Sequence, residues 1–334
     1  MQRYHECPQV LREFLSYHEN IKGQSKKTVA EYYLDLRMFL RFVKLMRDEL
    51  PYDTPLDEIS IKDIDLAFVG SISSTEVFDF LSYLANDRVP RETDADDPGI
   101  GSAARARKLS AIKSFYNYLN VCTKQITNDP VKDIEFPRIR KSLPKYLTLE
   151  ESKALLQSVS GPNQARDFAI LMIFLNCGIR RSELVGLNLT DVYEDRLRVV
   201  GKGNKERMVY LNDSCKTAIK RYLEVRPHEG LPADSKNALF ISRNRKRISP
   251  RTVEHIVTSY IKKAGLDGRG LSTHKLRHTA ATLMYRHGHV DIRVLKDILG
   301  HANLGTTQIY THVSDTQIKA AIDANPLSEV KSKK

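Results

Sequence analysis

The sequence predicts a mainly α protein of two domains, the first wholly helical and the second mixed, with one small antiparallel sheet among its helices. Three observations carry this. Apolar residues recur at helical spacing through most of the 334 residues. A stretch rich in proline and basic residues interrupts them near the middle, and one pair of short β-branched runs flanks a glycine turn. The length suffices for two cores, and 41% hydrophobic with 28% charged residues is the balance of a globular chain.

The first domain, residues 1–127, holds four helical stretches. Val10, Leu11, Phe14 and Leu15 mark the first, and Val29, Tyr32, Tyr33, Leu36, Phe39, Leu40 and Val43 the second. Val77, Phe78, Leu81 and Leu84 mark the third, and Leu109, Ile112, Phe115, Tyr116 and Leu119 the fourth. The opposite edge of the fourth carries Arg105, Arg107, Lys108 and Lys113, which suits either phosphate contacts or a solvated basic face. Between the third and fourth stretches, residues 91–99 are acidic and close on Pro98-Gly99, which predicts a loop. Residues 128–147 then bring Pro130, Pro137 and Pro144 together with Arg138, Arg140, Lys141 and Lys145. Prolines at that spacing cannot continue a helix, so the segment is predicted to be an extended linker whose charge suits a DNA backbone.

The second domain, residues 148–334, opens on Thr148-Leu149-Glu150-Glu151, the spacing of a capping box. An apolar helix is predicted over about 166–176, closing at Gly178. Strands at 196–200 and 207–211 flank Gly201-Lys202-Gly203-Asn204, a hairpin that places Lys202 at its tip. Helices follow at about 213–225, 249–263, 275–287 and 291–299, then short turns up to Tyr310. Arg243, Arg245 and Lys246 form a further basic cluster read as DNA-binding.

The balance of 53 Lys+Arg against 41 Asp+Glu gives a net charge of +12, which favours a polyanionic partner. No stretch approaches the roughly 20 apolar residues of a membrane span, and the first eight residues lack the apolar core of a signal peptide, so a cytoplasmic location is expected. Cys7, Cys122, Cys177 and Cys215 are scattered and form no metal or disulfide pattern. Cys177, close to Arg180, reads as a small buried thiol rather than a nucleophile.

The last third concentrates His274, Arg277, His301 and Tyr310, with Arg180 and Lys202 upstream. These residue types suit the opening of a phosphodiester by a tyrosine. Attack builds negative charge on the non-bridging oxygens, and the planar fork of arginine matches them with two hydrogen bonds and a permanent charge. A phenol with a pKa of about 10 is ionised in only roughly one molecule in a thousand at pH 7, a deficit of about 4 kcal/mol that a base or cations must offset. Histidine is suited to take and return that proton, and a lysine ammonium can protonate the departing alkoxide.

Two other readings are weaker. Gly201-Lys202-Gly203 lacks the GxxxxGK[ST] pattern of a phosphate loop. His274 and His278 have the spacing of zinc ligands, with His287, His289, His301 and His312 available, but Lys275 replaces the glutamate of HEXXH and Arg277 would repel the metal. His278 reads instead as a buried residue bracing its helix, and His287 and His289 as surface residues flanking a turn.

Together these residues resemble the tyrosine recombinase (phage integrase) family. Cys177-Gly178-Ile179-Arg180-Arg181-Ser182-Glu183-Leu184 is similar to its first-arginine box, and Gly201-Lys202-Gly203-Asn204-Lys205-Glu206-Arg207 to its hairpin lysine motif. His274-Lys275-Leu276-Arg277-His278 resembles the HxLRH box, Leu299-Gly300-His301 carries the second histidine, and Ile309-Tyr310 the nucleophile. The likeness is greatest to the Xer branch, with Cys177 in place of the usual threonine and a longer, more acidic loop at 88–101.

The resemblance implies a helical core-binding (SAM-like) domain and a mixed α/β catalytic domain closing on duplex DNA. It implies Arg180 and Arg277 as the phosphate grip, Tyr310 as nucleophile, His274 as base, Lys202 as acid, His301 as a further donor, and Glu183 as a residue that orients the arginines. The apolar stripe Ile318, Ala321 and Ile322 could fold back in cis or dock on a neighbouring protomer, and the resemblance favours the neighbour. It also implies a homo- or hetero-tetramer on two DNA sites, with a second Xer-like recombinase or a DNA translocase as candidate partners, and no cofactor, neither ATP nor metal. The natural role would be chromosome-dimer resolution or movement of a mobile element. A non-catalytic DNA-binding regulator, a type IB topoisomerase and a zinc hydrolase are the alternatives.

Overall fold

The computed structural model describes residues 7–48, 51, 54–86, 99–138, 145–201, 203–288 and 290–300. The chain divides into two compact units, Met1–Lys141 and Ser142–Lys334. As the sequence predicts, it is mainly α with one small antiparallel sheet.

In the first unit, α1 (Gln9–Ser16), α2 (Lys26–Arg47), α4 (Ser74–Asn86) and α5 (Ser102–Asn117) correspond to the four stretches read from periodicity, and a short α3 (Leu66–Gly70) stands between α2 and α4. Side-chain caps start three of them, Ser25 accepting from the Thr28 N–H, Asp65 from the Phe68 N–H and Ser73 from the Glu76 N–H. The helices bury their apolar faces against one another around Phe14, Phe39, Phe80, Phe115 and Tyr116. Val131 and Ile134, within the stretch read as linker, also pack into this core.

One expectation is corrected here. Lys108 does not face outward among the basic residues of α5. It is buried and its Nζ donates to Asp35 Oδ1 at 2.8 Å, because α2 presents an equally buried carboxylate that needs a partner. Arg107 donates to the other oxygen of Asp35 at 2.5 Å and to Glu31, although half of its side chain remains exposed. Lys113 Nζ donates to the carbonyl of Val131 at 2.6 Å. Arg105 is partly exposed and Arg138 exposed, while Arg140 and Lys141 lie outside the described residues, as does most of the acidic loop.

The second unit opens with the predicted capping box, Thr148 Oγ1 accepting from the Glu151 N–H and Glu151 Oε2 from the Thr148 N–H, at the start of α6 (Leu149–Gln157). The apolar α7 (Gln164–Cys177) is buried nearly all round, packed between α9 (Asp213–Val225) and α11 (Thr273–His287). A short α8 (Arg181–Gly186), α10 (Pro250–Lys263) and α12 (Ile292–Leu299) complete the helices. Strands β1 (Arg196–Val200) and β2 (Glu206–Tyr210) pair antiparallel, with Val200 opposite Glu206 and Arg196 opposite Tyr210. Leu197, Val199 and Val209 face the core. Leu147 is fully buried, and its N–H donates to Thr279 Oγ1 at 2.9 Å, tying the entry of this unit to α11.

Among the described residues no helix is long and apolar enough to cross a membrane.

Candidate active site

Three elements of the second unit bring Arg180, Glu183, His274 and Arg277 together. α7 stops at Gly178, whose left-handed φ of +58° turns the chain so that Arg180 immediately precedes α8. A glycine is required, since a Cβ there would meet Leu299 Cδ2 at 2.9 Å. Arg180 is fixed by Glu183, whose Oε2 accepts the Arg180 backbone N–H and whose Oε1 accepts Arg180 Nη1, both at 2.8 Å. The Arg180 side chain nonetheless stays 37% exposed.

On α11, His274 and Arg277 are three residues apart and share a face. Arg277 is almost fully buried. Its Nη1 donates to the Gly178 carbonyl at 2.6 Å and its Nη2 to that of Leu299 at 2.7 Å. Arg180 Nη2 donates to the next carbonyl, Gly300, at 3.2 Å, so the two guanidiniums are anchored on adjacent carbonyls at the end of α12. The start of α11 is held in turn by Glu254 of α10, which accepts from Thr273 Oγ1 at 2.9 Å and pairs with Arg181.

Electrostatics divides the roles. Burial raises the Glu183 carboxyl, but hydrogen bonds and charge from Arg207 and Arg180 outweigh it and hold the group below its ordinary range, so it is an anion at neutral pH. The pKa of His274 is lowered by packing around its ring, then by the charges of Arg277, Lys275 and Arg180. It is therefore neutral at pH 7, the state a proton acceptor needs. His278 is buried with its ring edge-on to His274, centroids 4.6 Å apart, and His287 is exposed. Cys177 is buried, and the neighbouring Cys215 sulfur together with burial pushes its thiol well up, which leaves it unreactive. Among the described residues no group of His, Cys, Asp and Glu is placed to hold a metal ion.

Lys202, His289, His301, Tyr310, His312 and the stripe Ile318, Ala321 and Ile322 lie outside the described residues. The hairpin on either side of Lys202 is defined. The Gly201 N–H donates to the Lys205 carbonyl at 2.8 Å, and Gly203 and Asn204 take φ of +75° and +58°. Arg243 and Lys246 are exposed beside a cleft of about 680 Å³ floored by Arg166 and Asp167, and Arg245 donates to the Glu229 carbonyl at 2.7 Å. Sequence reasoning missed Arg207, which donates Nη1 and Nη2 to the two oxygens of Glu183 at 2.8 and 2.9 Å. The only signal for it was its place at the end of the hairpin lysine motif.

Comparison with known proteins agrees with this geometry. The sequence model described as "Phage integrase family" matches residues 145–317, a span that includes Arg180, Lys202, His274, Arg277, His301 and Tyr310. The chain is 48% identical over 322 residues to the tyrosine recombinase XerC of Caldanaerobacter subterraneus subsp. tengcongensis, covering 96% of this chain and 88% of the relative. It is 32% identical over 323 residues to the tyrosine recombinase XerD of Shewanella oneidensis, covering 96% and 97%. Its fold matches that of the Tn1549 transposon integrase in complex with circular intermediate DNA, with a TM-score of 0.68 at 15% identity over 94% of this chain and 98% of the other. XerH recombinase bound to palindromic difH substrate gives 0.66 at 23% identity, covering 94% of each chain. The chain belongs to the phage integrase family, in the Xer branch of the tyrosine recombinases.

Proposed function

We propose that this chain is a site-specific recombinase that cleaves and rejoins duplex DNA through a 3′-phosphotyrosyl intermediate. The observation that carries the proposal is the pair of guanidiniums, Arg180 and Arg277, anchored on neighbouring carbonyls with a neutral His274 beside them. Held in place before the substrate arrives, two such groups need no reorganisation as charge develops on a phosphoryl oxygen.

In this reading the Tyr310 oxygen attacks phosphorus while its proton passes to His274. The bond to the 5′ oxygen breaks, and Lys202 gives that oxygen a proton. His301 donates a further hydrogen bond to the phosphate. The roles of Tyr310, Lys202 and His301 rest on their motifs. The new ester keeps the energy of the old one, so a 5′-hydroxyl from a second duplex reverses the step and exchanges strands without ATP, and with the arginines carrying the phosphate charge no metal ion is needed. The first unit acts as the DNA-gripping domain, and cooperation on two sites takes a tetramer, either of this chain alone or with a second recombinase of the same branch. A cytoplasmic location follows from the DNA partner.

The test is incubation with nicked candidate-site DNA, with and without EDTA. A covalent protein–DNA adduct that survives EDTA and is abolished by Tyr310→Phe is expected, followed by recombination between two sites. No adduct from the wild type would leave a DNA-binding regulator, loss on chelation a metal enzyme, and relaxation without exchange a topoisomerase.

A further inference from the structure

Glu183 has two cationic partners, and the second is not among the residues proposed to react. The carboxylate is 2% exposed and both oxygens are shared. Oε1 accepts from Arg180 Nη1 and Arg207 Nη1, each at 2.8 Å, and Oε2 from the Arg180 backbone N–H at 2.8 Å and Arg207 Nη2 at 2.9 Å. Arg207 Nε also donates to the Ile298 carbonyl at 3.3 Å. Gly300 leaves room for this guanidinium, since a Cβ there would lie 3.1 Å from Arg207 Cδ, Nε and Cζ.

We propose that Arg207 is a positioning residue for DNA cleavage, which neutralises Glu183 and so leaves the charge and fork of Arg180 for the scissile phosphate. The proposal rests on the reading of Arg180 as a phosphate-binding group. One buried carboxylate and one arginine sum to zero, and a site that must hold an anion gains little from a neutral pair. The second arginine restores a net positive charge. It also occupies one edge of the carboxylate with a fork-to-fork contact, the geometry that a guanidinium prefers. Without Arg207, the buried anion retains Arg180 as its remaining cationic partner among the described contacts. Arg180, whose guanidinium now meets Glu183 through Nη1 alone and reaches the Gly300 carbonyl through Nη2 at 3.2 Å, would leave that carbonyl, rotate into the vacated edge and turn its donors away from the phosphate.

The experiment is single-turnover cleavage of nicked site DNA by Arg207→Met, Arg207→Lys, Glu183→Gln and the double variant Arg207→Met/Glu183→Gln. Arg207→Met is expected to slow cleavage about 10²-fold or more, the scale of losing a charge-stabilising donor. Arg207→Lys, which keeps the charge without the fork, should lose less. Adding Glu183→Gln to Arg207→Met should recover most of the loss, because nothing then competes for Arg180, and the double variant should cleave at the rate of Glu183→Gln alone. On DNA with a neutral methylphosphonate at the scissile position, the defect of Arg207→Met should shrink to less than about tenfold, since that substrate makes no demand for the displaced charge.

Additive losses in the double variant, or an equal defect on phosphate and methylphosphonate, would overturn the proposal and leave Arg207 a purely structural residue. If Arg207→Met does not fold, the comparison of the double variant with Glu183→Gln decides, because neither carries a stranded carboxylate, and a large gap between them is the refuting result. Arg180→Ala separates the two levels. An Arg180→Ala defect that persists on methylphosphonate defeats the reading of Arg180 itself, whereas rescue of Arg180→Ala without rescue of Arg207→Met defeats only the present proposal.

Discussion

Replacing Gly178 by alanine tests whether the turn before Arg180 is built to hold Arg277 and α12 in place. The glycine sits at φ +58°, a conformation that costs a residue with a Cβ about 1–2 kcal/mol. The new methyl would lie 2.9 Å from Leu299 Cδ2 and 3.5 Å from Ala280 Cβ. Leu299 and Ala280 are both fully buried, so room can be made only by displacing core neighbours, and crowding of that kind costs about 1–3 kcal/mol. The two effects amount to roughly 2–5 kcal/mol, and each kcal/mol moves the Tm of a domain of this size by about 2–4 °C, so the transition of the second unit should fall by roughly 4–20 °C. Function should suffer as well. The carbonyls that fix Arg277 belong to Gly178 and Leu299, the two residues pushed apart, and a displacement of about 1 Å near a reacting centre can cost about 10²-fold in rate. Calorimetry and single-turnover cleavage of nicked DNA measure both effects. Gly186→Ala is the control, since a Cβ there meets nothing within 4 Å. If Gly178→Ala melted and cleaved like that control, the turn would not be holding the arginine.

Three further outcomes are expected. Because the pKa of His274 lies below its ordinary value, the residue stays neutral until the pH falls beneath about 6.5. Lys275→Met removes one of the charges that lower it, so the pKa should rise and the acidic limb of the cleavage profile should move to higher pH, whereas an unmoved limb argues against His274 as the base. Lys108→Met breaks a buried pair with Asp35, and denaturant titration should show a loss of about 3 kcal/mol in the first unit. The salt dependence of DNA binding should be unchanged by that substitution, while Arg138→Ala, at an exposed position, should reduce the salt slope by about 1; the opposite pattern would restore Lys108 as a phosphate contact. Thr279→Val strands the Leu147 N–H in a buried place and should cost about 1–3 kcal/mol by thermal melting, with Thr279→Ser close to the wild type.

What could be read from the sequence was what is decided within a turn or two of chain. The capping box of Thr148 and Glu151 spans four residues, and both of its hydrogen bonds form. Gly178 ends α7 for the local reason that only glycine adopts its φ freely. The hairpin was legible too, but β2 is Glu206–Tyr210 rather than 207–211. Apolar alternation draws Leu211 into the strand, whereas pairing of Val200 with Glu206 sets the register, and the Leu211 N–H goes to the Asp195 carbonyl beyond the ladder. Lys108 was misread because its partner Asp35 is 73 residues away in the chain, and spacing along one helix cannot reveal a carboxylate on another. Arg207 was overlooked for the same reason. Its motif was in view, but its contact with Glu183 exists only once α8 and the hairpin are packed together.

The end of α12 gives the Leu299-Gly300-His301 motif a physical reading. A helix C-terminus leaves its last carbonyls without partners inside the helix and carries roughly half a negative charge. Here three arginines from three separate elements supply the missing donors in order, Arg207 to Ile298, Arg277 to Leu299 and Arg180 to Gly300. Leu299 is the buried side chain that closes on Gly178, and Gly300 adopts φ +64° with no Cβ to obstruct Arg207. The first two letters of the motif are thus packing requirements. The point from which the chain runs on toward His301 and Tyr310 is consequently fixed by the same guanidiniums proposed to grip the phosphate. A substitution that moves either arginine should therefore disturb phosphate binding and the approach of the nucleophile together, and their separate contributions will be resolved only by substrates that alter the phosphate charge without altering the protein.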